Sequence, residues 1–280
     1  MNNIQSVINQ CQKAAGRYVG DLNLLTLAAF NCGLSEVQSF ESYTKEQVEE
    51  FTSYLDKFFN TDIPTAYIVG FELFLGNKIS VTSDTLIPRF ETEELVINLE
   101  KRIRSKFAIG SNLDIADVCS GSGVIGVSLY QRLKADYNIK VTFVDISEEA
   151  LAITELNAKA YELDYTILKG DMLKPLIDNK LQFDVIVSNP PYIAFDEEVQ
   201  ETVVSYEPSL ALYAKDNGLA LYKSLISDII DVSKDEFCLM LEIGMSQSEI
   251  LNRYLIETHG YQFETISDLN GLDRNLYLEV

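Results

Sequence analysis

From about residue 113 to the C-terminus, short apolar runs alternate with stretches of helical periodicity. No other feature restricts the fold as much. The candidate strands are Asp114–Val118, Lys140–Val144, Tyr165–Leu168, Phe183–Ser188, Phe237–Glu242, Tyr261–Ile266 and Asn275–Val280. Helical patterns separate the first five. Strands alternating with helices at this spacing make crossover units, and these build a mostly parallel sheet covered by helices on both faces. The last two strands follow each other closely, so one of them is expected to run antiparallel.

The first 60 or so residues read differently, as helices. Ile4, Val7 and Ile8 recur at helical spacing, and Asp21 opens a second apolar stretch that Gly33 can stop. Thr44 followed by Gln47 is a capping box, in which each side chain satisfies the other's backbone N–H. Val48, Phe51, Leu55, Phe58 and Phe59 then form one apolar stripe. Between Ile63 and Pro88, alternating segments punctuated by Gly70 and Gly76 read as a hairpin. Beyond Pro88 a helix is expected over roughly Thr92–Phe107, with Glu91, Glu93 and Glu94 in its first turn. The chain thus divides into a helical unit over 1–62, a connector over 63–88 and an α/β domain over 89–280.

Composition removes several function classes. At 280 residues and 47% hydrophobic, the chain can bury a large core, and global disorder is excluded. No uncharged apolar run approaches the roughly 18 residues of a membrane span. The first ten residues carry neither a basic region nor a signal-peptide core, so a cytoplasmic location is expected. The four cysteines, Cys11, Cys32, Cys119 and Cys238, form no C-x-x-C pair. His259 is the sole histidine, which leaves no zinc site of the usual His/Cys type and no Ser–His–Asp triad. It is expected at a helix end, beside Gly260. The formal net charge of −21 opposes nucleic-acid binding by backbone neutralisation.

Two loops carry chemistry. The first, Asp117-Val118-Cys119-Ser120-Gly121-Ser122-Gly123, joins a strand to a helix starting near Val124. Its small residues let the backbone pass close to a ligand, and the helix start offers free N–H groups. Asp145 ends the next strand, where a carboxylate can accept from both hydroxyls of a ribose. A Gly-x-Gly turn by itself is also an ordinary tight turn. Joined to Asp145, it reads as a site for an adenosine-containing cofactor. The second loop, Ser188-Asn189-Pro190-Pro191-Tyr192, follows the buried strand FDVIVS. Two prolines stiffen it. The Asn189 side-chain oxygen and the Pro190 carbonyl can accept both hydrogens of a planar NH₂ group, and Tyr192 can stack on its plane.

An Asn-Pro-Pro-Tyr loop joined to a Gly-x-Gly cofactor loop resembles the class I S-adenosylmethionine-dependent methyltransferases that act on amide or exocyclic nitrogens. Further segments extend the resemblance. They are Ile63-Pro64 with Tyr67–Gly70 and Phe74, then Leu86-Ile87-Pro88-Arg89-Phe90-Glu91-Thr92-Glu93-Glu94-Leu95-Val96, then Glu207-Pro208 with Ala211-Leu212. Asn217-Gly218-Leu219 and Leu241–Gly244 with Gln247 complete the set. Together these are similar to the HemK/PrmC family, the N5-glutamine methyltransferases of peptide chain release factors. The match covers nearly the whole chain and is weakest over the N-terminal helices.

The resemblance implies a Rossmann-like seven-stranded sheet, with a small N-terminal helical bundle that recognises the substrate and a β-hairpin connector. It implies S-adenosyl-L-methionine bound by Cys119, Ser120, Gly121, Ser122, Gly123, Asp145, Asp171, Met172 and Asn189. Catalysis would fall to Asn189, Pro190 and Tyr192, with Pro191 also contacting the substrate. The methyl acceptor would be the glutamine of a Gly-Gly-Gln tripeptide in a release factor, with no metal, no membrane and no direct nucleic-acid contact. Arg89 and Glu91 would either shape the substrate mouth or form a structural ion pair. This chain departs from the family in carrying Cys119 where glycine is usual and Ser120 where Thr is frequent. A glutamine of a ribosomal protein fits the same loop. So does a nucleic-acid amino group, although the charge opposes it. A protein that binds cofactor without turnover is the reading from another class, and the intact Asn189–Tyr192 loop counts against it.

Overall fold

The computed structural model describes residues 18–37 and 43–280. Ile4, Val7, Ile8 and Cys11 lie outside the described residues. A helix through 18–30 (α1) and α2 (Lys45–Asn60) come first, and then α3 (Thr65–Val69), β1 (Phe71–Phe74) and β2 (Asn77–Ser80). The α/β part runs α4 (Phe90–Lys106), β3 (Asn112–Val118), α5 (Val124–Leu133), β4 (Asn138–Asp145), α6 (Glu148–Ala160), β5 (Tyr165–Lys169), α7 (Lys174–Asp178) and β6 (Phe183–Ser188). It continues with α8 (Glu201–Tyr206), α9 (Ala220–Asp228), β7 (Ser233–Glu242), α10 (Ser248–His259), β8 (Glu264–Ser267) and β9 (Asp273–Glu279).

The seven-stranded sheet has the order β5-β4-β3-β6-β7-β9-β8. Only β9 runs against the others, pairing antiparallel with both β7 and β8. From β3 the chain winds outward through β4 to β5, then returns to lay β6 on the other side of β3. That reversal makes a crevice between the C-terminal ends of β3 and β6, the place where open α/β sheets bind ligands. The two ends are level, since Val118 pairs with Ser188 in register. The Ser188 hydroxyl also donates to the Val118 carbonyl at 2.6 Å.

Each face of the sheet has its own core. Leu95, Leu99 and Ile103 of α4, with Val127 of α5, pack over one face together with Val185 and Met240. Leu225 of α9 and Leu251 of α10 cover the other, against Ile186 and Leu239. A third core joins α1 and α2 through Leu22, Leu25, Phe30, Phe51 and Leu55, and Ile68 of α3 enters it.

The capping box at Thr44 and Gln47 is present. Two N-terminal expectations change. Asp21 does not open a helix: it lies inside α1 and accepts from the Thr65 hydroxyl at 2.6 Å. Phe59 leaves the apolar stripe and is exposed, because 100° per residue carries it about 80° round from Phe51. Residues 66–69, read as part of the hairpin, are helical. Pro64 starts that turn and Gly70, at φ 81°, stops it. The hairpin proper is shorter, Phe71–Phe74 paired with Asn77–Ser80.

The outer edge of β2 is held by Asn157 in the last turn of α6 and by Tyr161, which caps that helix. Asn157 accepts from Ser80 N at 2.8 Å and donates to the Ser80 carbonyl at 3.0 Å. The Tyr161 hydroxyl accepts from Lys78 N at 2.7 Å and donates to the Lys78 carbonyl at 3.1 Å. The two side chains stand in for a neighbouring strand. Asn157 also donates to the Ser122 carbonyl at 2.9 Å, so it clamps the connector to the loop after β3. Asn157→Ala would leave three backbone groups without their partner, one buried and two part-buried, at about 1–3 kcal/mol for each that water fails to reach. We expect urea unfolding to register a loss of about 3 kcal/mol. A loss within experimental error would mean that the clamp contributes nothing.

Candidate functional site

A cavity of about 220 Å³ opens at the switch point. Its wall includes Cys119, Ser120, Gly121, Ser122, Asp145, Gly170, Asp171, Met172, Asn189 and Pro191. The loop after β3 turns through three left-handed residues, Cys119 (φ 58°), Gly121 (φ 55°) and Gly123 (φ 76°). Gly123 caps α5 and lies behind the wall. A Cβ added there would meet Thr154 Cγ2 at 2.9 Å, so this close approach to α6 needs glycine.

The loop is pinned from three sides. Asp145 accepts from Gly121 N at 2.8 Å and from Ser147 N at 3.0 Å. Thr154 donates to the Gly121 carbonyl at 2.8 Å. Beneath the loop, Asp117 accepts from Gly126 N at 2.8 Å, while its other oxygen is buried without a partner. Ser147 caps α6 as its position suggested. Asp145 is therefore placed on the cavity wall by two backbone donors, one on each oxygen, which leaves further lone pairs free to accept. Asp171 is exposed on the cavity wall. Met172, at φ 48°, is buried with its sulfur 3.6 Å from the Cys119 sulfur. Ile146, absent from the sequence-based site, adds an apolar surface to the wall. The open Gly121 backbone, the tethered carboxylate and the apolar slot fit an adenosine-type group. Burial raises the Cys119 thiol pKa well above its ordinary value, so it behaves as a small packing residue rather than a nucleophile.

On the opposite lip, the Asn189 amide donates from Nδ2 to Thr92 Oγ1 at 3.2 Å. Thr92, on α4, donates in turn to Glu242 Oε2 at 2.7 Å. Pro190 is buried, and Pro191 faces the cavity. Tyr192 is not part of the cavity wall. Its ring packs against the core of the α9 and α10 face, and burial pushes its hydroxyl up to about 12. Its carbonyl accepts from Gln247 Nε2 at 3.1 Å. Gly218, at φ 82°, supports this loop from behind, where a Cβ would come within 2.0 Å of the Tyr192 oxygen. Arg89 pairs with the buried Glu207, which also accepts from Ile87 N at 3.1 Å. Arg89 both belongs to an ion pair and lines the cavity. Glu91 is not part of the wall. His259 ends α10, with Nε2 at 2.6 Å from the Ile226 carbonyl, far in function from the cavity.

Thr92, Asp117, Thr154, Asn157 and Glu242 were not among the expected site residues. The acidic start of α4 and the segment Leu241–Gly244 were visible, but their meeting behind Asn189 depends on pairing across the fold.

Residues 91–206 match the family model described as Methyltransferase small domain. A release factor glutamine methyltransferase of Bacillus cereus is 34% identical over 243 residues, covering 86% of this chain and 84% of that protein. One from Bacillus subtilis is 38% identical over 217 residues, covering 76% and 74%. Among solved structures, a methyltransferase from Pyrococcus furiosus aligns with TM-score 0.52 at 16% identity, over 73% of this chain and 89% of that one. A Thermus thermophilus 16S rRNA N2 G1207 methyltransferase, in complex with AdoMet and guanosine, aligns with TM-score 0.51 at 16% identity, over 75% and 49%. At that identity the two structures speak for the fold.

Burial, with the Asp145 charge adding to it and the Gly126 N–H opposing it, raises the Asp117 carboxyl to about 8. The unfolded chain releases that proton near pH 4. The folded chain keeps it to about pH 8, so the contribution is full below about pH 4 and is lost as pH rises through about 8. Asp117→Asn removes this dependence. We expect the variant to gain stability relative to the wild type between about pH 5 and pH 9, read by thermal melts across the series. A constant difference would mean that Asp117 is ionised throughout.

Proposed function

The chain belongs to the release factor glutamine methyltransferase family, with a class I methyltransferase fold, and we propose that it methylates the side-chain amide nitrogen (N5) of a release factor glutamine, in a Gly-Gly-Gln tripeptide. The observation that carries this reading is the polarity of Asn189. Its NH₂ end is spent on Thr92, so its oxygen is left for the cavity. No hydrogen bond from a described residue reaches the Pro190 carbonyl. Two acceptors at adjacent positions suit the two hydrogens of a primary amide.

S-adenosyl-L-methionine, held by Cys119–Gly123, Asp145, Asp171 and Met172, supplies an electrophilic methyl group on a sulfonium. The chain's own task is to make a poor nucleophile adequate. An amide nitrogen lends its lone pair to the carbonyl. Accepting its two N–H groups at Asn189 Oδ1 and the Pro190 carbonyl fixes the plane and directs the nitrogen at the methyl carbon. The same bonds draw density toward nitrogen as the C–N bond forms and the C–S bond breaks. Because the bound group would leave as a neutral thioether, the chain needs to supply no acid, and the amide proton lost would pass to water. Among the residues lining the cavity, Arg89 is the sole cation and there is no histidine or lysine. Positioning and electrostatics therefore carry the rate.

The helical unit over 1–62 is assigned to gripping the protein substrate. In support, α1 meets the connector directly, through Asp21 with Thr65 and Leu24 in the core under α4. Leu210 of the cavity wall and Phe90, next to the wall residue Arg89, are exposed apolar side chains. A chain lacking residues 1–62 is expected to bind cofactor yet fail to methylate an intact factor. The proposed place of action is the cytoplasm, where release factors work. No helix of the described residues is long and apolar enough to cross a membrane.

The central test is incubation with purified release factor and S-adenosylmethionine, read by peptide mass spectrometry. A single methyl on the Gly-Gly-Gln glutamine is expected, with Asn189→Ala lowering its rate at least about 100-fold. Methylation elsewhere, or none with cofactor bound, would refute the assignment.

A further inference from the structure

A catalytic carboxamide carries an ambiguity. Its oxygen and NH₂ ends are nearly the same size but opposite in hydrogen-bonding sense. Turned by 180°, Asn189 would aim two donors at the donors of its substrate. Something must hold the oxygen inward before the substrate arrives.

Thr92 Oγ1 lies 3.2 Å from Asn189 Nδ2 and 2.7 Å from Glu242 Oε2. A hydroxyl has one hydrogen to give. An ionised carboxylate only accepts, so the Thr92 hydrogen is committed to Glu242. What Thr92 turns toward Asn189 is then a lone pair, and only the NH₂ end satisfies it. The geometry points to Thr92 and Glu242 as positioning residues that hold Asn189 in one flip state through a one-way chain of hydrogen bonds. This inference deepens the methyltransferase reading and rests on it.

Three observations support a positioning role. Thr92 and Glu242 are each 2% exposed, so bulk water cannot substitute for either link. Thr92 lines the cavity beside Asn189, whereas Glu242 is not in its wall, so Glu242 touches no substrate. The Glu242 backbone is itself held, since the Tyr222 hydroxyl donates to its carbonyl at 2.7 Å. A buried carboxylate is moreover costly as a structural element, and an apolar residue of similar volume would pack at least as well.

The charged and titratable groups facing Glu242 are Glu91 from α4, Arg274 from β9, Tyr192 from the loop after β6 and Tyr222 from α9. Arg274 is shared with Asp268, at 3.3 Å. Burial dominates and raises the Glu242 carboxyl to about 7, with the Thr92 bond, Arg274 and a direct interaction with the Asn189 amide opposing and Glu91 adding; that interaction too calls for the NH₂ end of Asn189 while the carboxylate is ionised. Below that pH the carboxyl owns a hydrogen and can donate to Thr92. The chain then has no fixed direction, and both flip states of Asn189 become accessible.

The test compares wild type with Thr92→Val, Thr92→Ser and Glu242→Gln in the full chain, with purified release factor as methyl acceptor. We expect Thr92→Val and Glu242→Gln to lower kcat by about 10- to 100-fold through misorientation, with cofactor affinity by calorimetry and the melting temperature near wild type. Thr92→Ser keeps the hydroxyl and should return kcat to within about threefold. Wild-type kcat/KM should fall on the acid side of about pH 7. Glu242→Gln, uniformly slow, should lack that limb. Wild-type rates in Thr92→Val and Glu242→Gln would overturn the relay and leave the methyltransferase reading standing. So would loss of activity that only tracks lost folding or cofactor binding, failure of Thr92→Ser to rescue, or an acid limb that persists in Glu242→Gln. A wild-type chain that binds cofactor but methylates no factor would instead remove the reading itself.

Discussion

The structure turns on the level ends of β3 and β6. Strand pairing sets Val118 beside Ser188, and the Ser188 hydroxyl donates to the Val118 carbonyl. One residue beyond each, the chain leaves the sheet and enters the cavity wall, with Cys119 opening the proposed cofactor loop and Asn189 the proposed acceptor loop. A one-residue slip would turn every buried side chain of the strand to the wrong face. The relative position of the two loops is thus enforced by the whole apolar core of both strands. Positioning catalysis tolerates little displacement, which makes a central pair of strands a better mount than any surface loop.

Around this pair the chain accepts costs that a stability-driven core would avoid. Asp117 is buried with one oxygen lacking a hydrogen-bond partner, and Glu242 is buried with its carboxyl raised to about 7. Cys119 occupies a left-handed conformation that a side chain rarely adopts. All three lie within the cavity wall or directly behind it. Other buried polar groups, such as Asn157 and Ser188, are satisfied by several or by short hydrogen bonds. The costs borne beside the cavity are in keeping with local rules giving way where function requires it.

What could be read from the amino acids was what depends on neighbours in the chain. The strand FDVIVS, the Ser147 cap, the Thr44 box and both site loops are local patterns, and each appears at or within a few residues of its expected place. The single antiparallel strand near the C-terminus follows from a connection too short for a crossover. The misplaced features depend on distant partners. Asp21 serves Thr65 rather than a helix start, because α3 delivers a hydroxyl to it. Residues 66–69 became helical between Pro64 and Gly70, since five residues of mixed propensity carry no period to read. Tyr192 faces a core supplied by α9 and α10, and no spacing around the motif encodes that. Glu242 is 53 residues from Asn189 and Thr92 is 97 residues before it, so their junction exists only once β7 and α4 pack together.

In the proposed reaction no histidine or lysine base stands in the cavity wall, which gives these distant partners their importance. Where a base is present, a modest misalignment can be offset by the driving force of proton transfer. Asn189 and the Pro190 carbonyl have only geometry to contribute. The rigidity of their surroundings therefore becomes part of the chemistry: two prolines in the loop, Gly218 pressed against the Tyr192 carbonyl, Gln247 holding that same oxygen, and Thr92 behind the amide. The hydrogen bonds to Asn189 and Tyr192 come from α4 and from the loop after β7, elements fixed to the two faces of the sheet. The acceptor loop is consequently held from both sides of the core, and the direction of one amide is set by the packing of the whole domain.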